Sequence, residues 1–527
     1  PPRSTLFPYT TLFRSSQYDC LLAVNPHPRV PSDKMVFWTR CRAWLTYRGY
    51  SQAIDKTCLT HFSADPSGRF ATWTFNVPCG MGKSVPLTFQ LALYAELNRA
   101  ALTVQRRAST APQTLQDEVT LILRPDIEYR NFHHKTKAFT GPEQHWPKAL
   151  TATTNGFHFQ PTASDHLALT TSCGTYHPAP EWAYMVQHPE EAVRGLEAMG
   201  DLFSPGWFSS ALSSGQSIQL LAEREDEETQ QRTSMLPSYP EGPETLPLPE
   251  LLKAALPLYI VRRDALKTVI AGYPWFLDWG RDTLIVLRGL IAGGYHRESL
   301  EILREFGRFE RNGTIPNMIR GEDDANRETS DAPLWFCVAA GELMAVLGEK
   351  ETLNQACGSR TLREVLVSIL THYRDGTPNG IRMDPATALI FSPAHYTWMD
   401  TNYPAATPRE GYPVEIQALW IAALRLVGRT VDASWMTLAE QATQALTRYF
   451  MTPEGWLADC LRAKPGLSAL QAEQEDALRS NQLLAITLNV IQDRATKIDI
   501  LKACENLLVP GAIRSLDDRP VKADMSV

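Results

Sequence analysis

The chain has 527 residues, 44% of them hydrophobic, which is enough for several packed cores and excludes fibrous, disordered and mini-protein readings; roughly two to four domains are expected. With 51 Lys and Arg against 58 Asp and Glu, the formal charge of −7 leaves no global basic field for nucleic acid or an anionic membrane, so a neutral or cationic partner fits better. Nine cysteines (Cys20, Cys41, Cys58, Cys79, Cys173, Cys337, Cys357, Cys460, Cys504) are odd in number, scattered and never paired as C-x-x-C, which argues against a disulfide framework or a zinc knuckle and for a reducing cytoplasm.

The first fifteen residues, PPRSTLFPYTTLFRS, share no pattern with the rest of the chain and resemble a translated sequencing adapter; residues 1–15 are set aside, and native sequence is expected to resume at Ser16. There is no signal-type apolar region at this end, and no apolar run anywhere reaches the roughly 18 residues that span a bilayer. Over residues 16–223 the dominant signal is period-two alternation. Leu87, Phe89, Leu91 and Leu93 alternate with Thr88, Gln90, Ala92 and Tyr94, and Val119, Leu121 and Leu123, Phe157 with Phe159, and Ile218 with Leu220 repeat the pattern. Such runs predict antiparallel strands with one buried face, hence a β-sandwich-like domain. Residues 224–249, REDEETQQRTSMLPSYPEGPETLPLP, join an acidic run to a proline-rich one, a linker composition.

From Glu250 the apolar period becomes 3.6. Helices are predicted at 250–262, 283–294, 296–309, 331–347, 361–373, 413–427, 435–450, 479–490 and 496–508. The loops at about 310–330 and 374–412 are too long to be plain connectors and are the default places for a site.

Three clusters carry possible chemistry. The first, YPWFLDWGRDT, sets Trp275, Trp279, Arg281 and Asp282 just before a helix. Aromatic faces stack on sugar C–H faces, and an Arg beside an Asp grips vicinal hydroxyls; equally, Asp282 caps the helix and the aromatics pack. The second, GTIPNMIRGEDDANRETSDAPLWF, ends with Asp331 at a helix start and Trp335 on its first turn; Glu322, Asp323 and Asp324 lack metal spacing and read as a solvated loop. The third, HYTWMDTNYPAATPREGYPVEIQALW, holds Tyr396, Trp398 and Asp400, followed by Glu410 and Glu415. Carboxylates beside aromatics suit glycosidic acid/base work, because partial burial raises a carboxyl pKa. The abundant Trp and Tyr also hint at carbohydrate. His133 and His134, adjacent on a predicted strand, would face opposite ways and do not suggest a metal. No H-E-x-x-H, G-x-S-x-G or P-loop pattern occurs.

The segments PWFLDWGRDT, GTIPN, SDAPLWF, YTWMD and TPREGYPVEIQALW, with YDCLLAVN and LRPDIEYRNFHH before them, resemble bacterial glycogen debranching enzymes of the amylo-α-1,6-glucosidase type. The resemblance implies an (α/α)6 toroid of six helical hairpins after the β domain, with the pocket at one end. It implies Asp400 as general acid, Arg281 and Asp282 as clamps on a terminal glucose, Asp331 as a further binding carboxylate and Trp335 near the sugar. Trp275, Trp279, Tyr396, Trp398 and Glu410 complete the expected binding set. The partner would be glycogen or a branched α-glucan, with no cofactor and no metal. The reaction would be inverting hydrolysis of α-1,6-linked glucose, which needs a second carboxylate about 6.5–9.5 Å from the acid. Related toroids carry that base between their last helices, so the toroid is expected to be incomplete here and the base absent; Glu415, or Glu410, is the alternative, unless these orient substrate or cap the next helix. Two rival readings stand: another toroid exo-glucosidase of glucoamylase or trehalase type, and a glycan-binding protein without catalysis. No alternating strand–helix pattern suggests a transferase barrel.

Overall fold

The computed structural model describes residues 16–65, 70–94, 97–224, 247–401 and 407–519. The adapter-like segment, most of the expected linker and residues 402–406 lie outside the described residues. Contacts divide the chain into two compact units. One runs to Pro28, then Ser32–Tyr259, and takes in Tyr273–Trp275; the other comprises Arg29–Pro31, Ile260–Gly272 and the chain from Phe276 onward.

The first unit is built of two antiparallel sheets. One orders Leu22–Val24, Met35–Tyr47, Val119–Asn131, Met199–Leu212 and Thr175–Gln187, with Tyr50–Ala53 beside Met35–Tyr47. The other runs through eight strands, from Leu59–Ala64 to Leu150–Thr153, with Lys83–Leu93 and Arg99–Arg106 near its middle. A single apolar core draws Trp38, Leu45 and Leu121 from the first sheet and Trp73, Phe75 and Phe89 from the second, as facing sheets require. In Lys83–Leu93 the alternation holds for Leu87, Phe89 and Leu91, but Thr88 and Ala92 are buried too, because this central strand is covered on both faces there, and Leu93 at its end is only half-buried. His133 and His134 sit in a turn beyond the strand Val119–Asn131, not on it, and His133 lies on the Phe132 ring.

The predicted helix at 250–262 is shorter. Leu248–Ala255 is helical, a 3-10 turn Leu256–Tyr259 comes next around Pro257, and the chain then enters a hairpin, Ile260–Arg263 with Leu266–Val269. The β-branched Ile260, Val261, Thr268 and Val269 favour extended backbone, and Asp264 makes the turn with φ 49°.

In the second unit the helices alternate between two layers. Gly280–Ala292 packs on Ala332–Leu347, that on Val414–Thr430, and that on the short Leu483–Thr487. His296–Arg308, Leu362–Asp375 and Trp435–Phe450 lie against these, and Arg494–Glu505 against Leu483–Thr487. Ala332–Leu347 and Val414–Thr430 are buried nearly all round, which is what inner-layer helices need. Each inner helix therefore starts at one end of the layer, next to a loop. The predicted helix at 479–490 is broken into a 3-10 turn, Ser480–Gln482, and Leu483–Thr487, since the buried amides of Asn481 and Gln482 bond to Asp459 and to the Leu457 N–H.

All nine cysteines are free thiols. Among the described residues no His, Cys, Asp and Glu group could hold a metal, and no helix is long and apolar enough to cross a membrane.

The packing of each unit makes a stability prediction. Phe89 is 1% exposed and its ring lies 5.0 Å from that of Phe75. Phe89→Ala should weaken the first unit by about 3–5 kcal/mol in a urea titration. On the helix His296–Arg308, burial pushes the Glu305 carboxyl up to about 7 against the opposing Arg308 and Arg263 charges, and its Oε2 has no partner. The folded state then holds a proton that the unfolded chain releases near its ordinary 4.5, so this contribution is full below pH 4.5 and is lost as the pH rises through about 7. Glu305→Gln should leave stability unchanged at pH 4.5 and raise it by about 2–3 kcal/mol at pH 8, read from denaturation midpoints at the two pH values.

Candidate active site

The helix Gly280–Ala292 is placed by the residues before it. Asp278 and Trp279 pair with Ile319 and Met318, and the buried Asp278 takes two bonds from Arg263, Nε at 2.5 Å and Nη2 at 2.9 Å. Arg263 in turn donates to the Gly321 carbonyl at 2.9 Å, which ties the hairpin to the 310–330 loop. Gly280 donates its N–H to the Asn317 carbonyl at 2.9 Å, and a Cβ on Gly280 would sit 2.3 Å from the Pro316 carbonyl oxygen. The GTIPN segment and the WGRD segment therefore need each other: the loop backbone lies flush on a residue that must lack a side chain.

This anchorage directs Arg281 inward. Its Nε donates to Asp331 Oδ2 at 2.6 Å and its Nη1 to Asp400 Oδ2 at 3.0 Å, while its buried Nη2 has no partner. Burial opposes the guanidinium charge, but Asp331 and Asp400 outweigh it and hold the pKa above the ordinary value. Asp331 stands at the cap position of Ala332–Leu347 without capping it. Thr329 donates to Asp331 Oδ1 at 2.6 Å and accepts from the Ala332 N–H at 3.3 Å, so the threonine meets the helix end and the aspartate is kept for Arg281. Asp282 is not the cap either, since Trp279 occupies that position; its carboxylate projects from the first turn. Although exposed at its surface, the Asp282 carboxyl is pushed up by desolvation, helped by Asp331 and Asp400 and opposed by Arg281.

Asp400, with a side chain 34% exposed, is held through its own loop. The Ser330 N–H donates to the Tyr396 carbonyl at 2.7 Å, and the Ser330 and Ser392 hydroxyls lie 2.8 Å apart. Thr397 accepts from Arg409 Nη1 at 3.1 Å, and the Trp398 indole N–H donates to Asn481 Oδ1 at 2.9 Å. Behind the loop lies a second buried cation. Arg409 donates to both Glu415 oxygens at 2.5 and 2.6 Å and to Asp459 Oδ2 at 2.7 Å; Arg479 stands 3.3 Å from the same Asp459 oxygen. Burial pushes the Glu415 carboxyl up and Asp459 adds to this, while Arg409 opposes both.

The expected residues thus separate. Arg281, Asp331 and Asp400 meet directly, and Asp282 follows Arg281 on the same turn. Glu415 is buried with both oxygens engaged, and Glu410 accepts from Lys464 Nζ at 2.9 Å. Trp398 is 43% exposed and offers the open aromatic face of the loop, whereas Trp335 is buried with the Arg288 guanidinium 5.8 Å from its ring centre. Tyr396 is half-buried, and Trp279 is half-buried in the short strand pair. Trp275 belongs to the first unit, where its ring stacks on Phe132 at 5.4 Å and lies 5.8 Å from Tyr18, so one face is taken by protein. The acidic triplet is dispersed: Glu322 pairs with Arg29, Asp324 with Arg311 and Arg327, and Asp323 takes the Ala325 N–H. Sequence reasoning missed Arg263, Asn317, Arg409 and Asn481. Asn317 carries a buried Oδ1 without a partner beside Gly280, and only the N of GTIPN pointed to it. A charged cleft of about 300 Å³, lined by Arg263, Asp264, Arg308, Phe309, Arg311, Glu322 and Asp324, contains none of the Arg281 group.

The Arg409 knot should respond sharply to loss of charge. Glu415→Gln leaves Asp459 and one neutral amide around a buried guanidinium, and should weaken the second unit by about 3–5 kcal/mol in a denaturant titration.

Comparison with known proteins adds the family. The family model described as amylo-alpha-1,6-glucosidase matches residues 253–523, and that described as glycogen debranching enzyme N terminal matches residues 10–219. No curated protein matches the chain. Among solved structures, a bacterial glucoamylase complexed with acarbose aligns with a TM-score of 0.53 at 10% identity, over 93% of this chain and 77% of the other, a likeness of fold. With its helical half matched throughout and its β-rich half matched as well, the chain belongs to the amylo-alpha-1,6-glucosidase family of glycogen debranching enzymes, glycoside hydrolases of the α/α toroid type.

Proposed function

We propose that this protein removes α-1,6-linked glucose from glycogen-type branch points by inverting hydrolysis, in the cytoplasm, where its free thiols would stay reduced. The observation that carries this reading is Arg281: a buried cation joined to two carboxylates, with its Nη2 amino group left over as a donor for a sugar hydroxyl. Asp282 beside it supplies an acceptor, and the exposed indole of Trp398 supplies a stacking face. Asp400 is the acid. A sugar hydroxyl that takes over the Arg281 Nη1 bond frees the Asp400 carboxylate to take up a proton from water, turn to the glycosidic oxygen and pass that proton to it as the bond to the anomeric carbon breaks.

Water must then be activated from the opposite face by a second carboxylate. Asp331 is closed in by Arg281 and Thr329, and Glu415 by Arg409, so neither is free for that work. The solved glucoamylase supports the scaffold, and an exo-glucosidase acting on linear chains is the second reading.

Three measurements separate these readings. Calorimetric titration with acarbose should show binding that Arg281→Ala weakens at least about tenfold and Asp400→Asn leaves in place. Glucose release from a branched limit dextrin should fall by about 10²–10⁴ in Asp400→Asn. Release that survives Asp400→Asn would remove Asp400 as the acid. Faster release from maltotriose than from an α-1,6 branch would favour the second reading.

A further inference from the structure

We propose that Asn481 is a positioning residue that fixes the indole of Trp398 as the sugar platform beside the acid loop. The inference rests on the roles proposed for Asp400 and Trp398, and it assigns a role to a residue far along the chain from both.

The chemistry at Asn481 is specific. The side chain is buried. Its Oδ1 accepts from Trp398 Nε1 at 2.9 Å, and its Nδ2 donates to Asp459 Oδ1 at 2.8 Å and lies 3.7 Å from Met399 Sδ. An indole N–H only donates and a carboxylate only accepts, so the bridge between them must accept on one side and donate on the other, which a primary amide does. The amide cannot turn over, because Asp459 is itself fixed by Arg409 at 2.7 Å and 3.1 Å and by Arg479 at 3.3 Å. Turning it would set N–H against N–H and oxygen against carboxylate.

The other end of the bridge is the exposed one. Trp398 is 43% exposed, so little core packing fixes its rotamer, and the bond to Asn481 is the polar contact that does so. The same knot reaches the preceding residue, since Arg409 Nη1 donates to Thr397. Thr397 and Trp398, the residues leading into Asp400, are thus both held from the buried charges, while Asp400 itself is left to Arg281. A platform with a free ring face and an immobilised edge gains stacking affinity without the entropy loss of ordering it on binding.

The test uses the full chain labelled with 5-fluorotryptophan. Trp398→Phe identifies the Trp398 fluorine resonance by its disappearance. Asn481→Leu, which is nearly isosteric and removes both bonds, should shift or broaden that resonance without ligand and weaken acarbose binding by about tenfold. Trp398→Phe alone removes only the indole and should weaken binding comparably, and the double variant should be no weaker than Trp398→Phe. Additive losses, or an unmoved resonance in Asn481→Leu, would overturn the proposal. If Asn481→Leu lowers the melting temperature too far to be studied, the Trp398→Phe cycle can be completed with Asn481→Ser at low temperature, with the same criteria. A resonance that moves in Asn481→Leu while the unaltered protein fails to bind acarbose would instead overturn the functional reading, and the platform role with it, and leave only the contact.

Discussion

One guanidinium holds the site together. Arg281 bonds carboxylates 50 and 119 residues further along, and no other described contact joins Asp331 to Asp400. An arginine this buried is tolerable only because two opposite charges face it, and the buried Asp331 carboxylate is tolerable because it faces the arginine. The arrangement explains why Thr329 rather than Asp331 meets the start of Ala332–Leu347: an aspartate spent on a helix end would leave the cation half neutralised.

Around that centre the structure uses backbone fit before charge. Gly280 accepts the Pro316–Asn317 backbone at a distance that forbids a side chain, and the Arg263–Asp278 pair secures the residue just before the helix. The second cation, Arg409, does for the Asp400 loop what Arg263 does for the helix. It is held in a left-handed backbone conformation, φ 47°, which an L-residue adopts at a cost of about 1–2 kcal/mol, and four strong charge-assisted bonds offset that cost.

Much of this was legible in the sequence because it was periodic or chemically dense. The alternation at Leu87, Phe89 and Leu91 is a two-faced strand, and the apolar runs of Ala332–Leu347 and Val414–Thr430 are inner helices. The WGRD and SDAPLWF segments each place a charged group at the start of an inner helix, and YTWMD supplies Asp400 from the long loop before a third; Arg281 bonds the two aspartates. What was not legible was which partner each group would choose. Asp282 and Asp331 look alike as helix-start aspartates, yet one is exposed and the other is locked to Arg281. Glu415 looks like a free carboxylate until Arg409, six residues earlier, is seen to fold back on it. Asn481 carried no signal, since an amide among Arg479, Ser480 and Gln482 reads as a helix surface until the helix is seen to break there.

The sequence distances also order the assembly of the molecule in time. The contacts that set the helix start are short in sequence, 15 residues between Arg263 and Asp278, whereas the bond from Arg281 to Asp400 closes a span of 119. Closing long spans is entropically costly and comes late unless packing prepays it. The hairpin, the strand pair and the first helices can therefore form while Asp400 is still apart from Arg281. A nascent or partly unfolded chain would carry a recognisable helical scaffold and no pocket, and the ability to grip sugar would be the last property gained on folding and the first lost on heating.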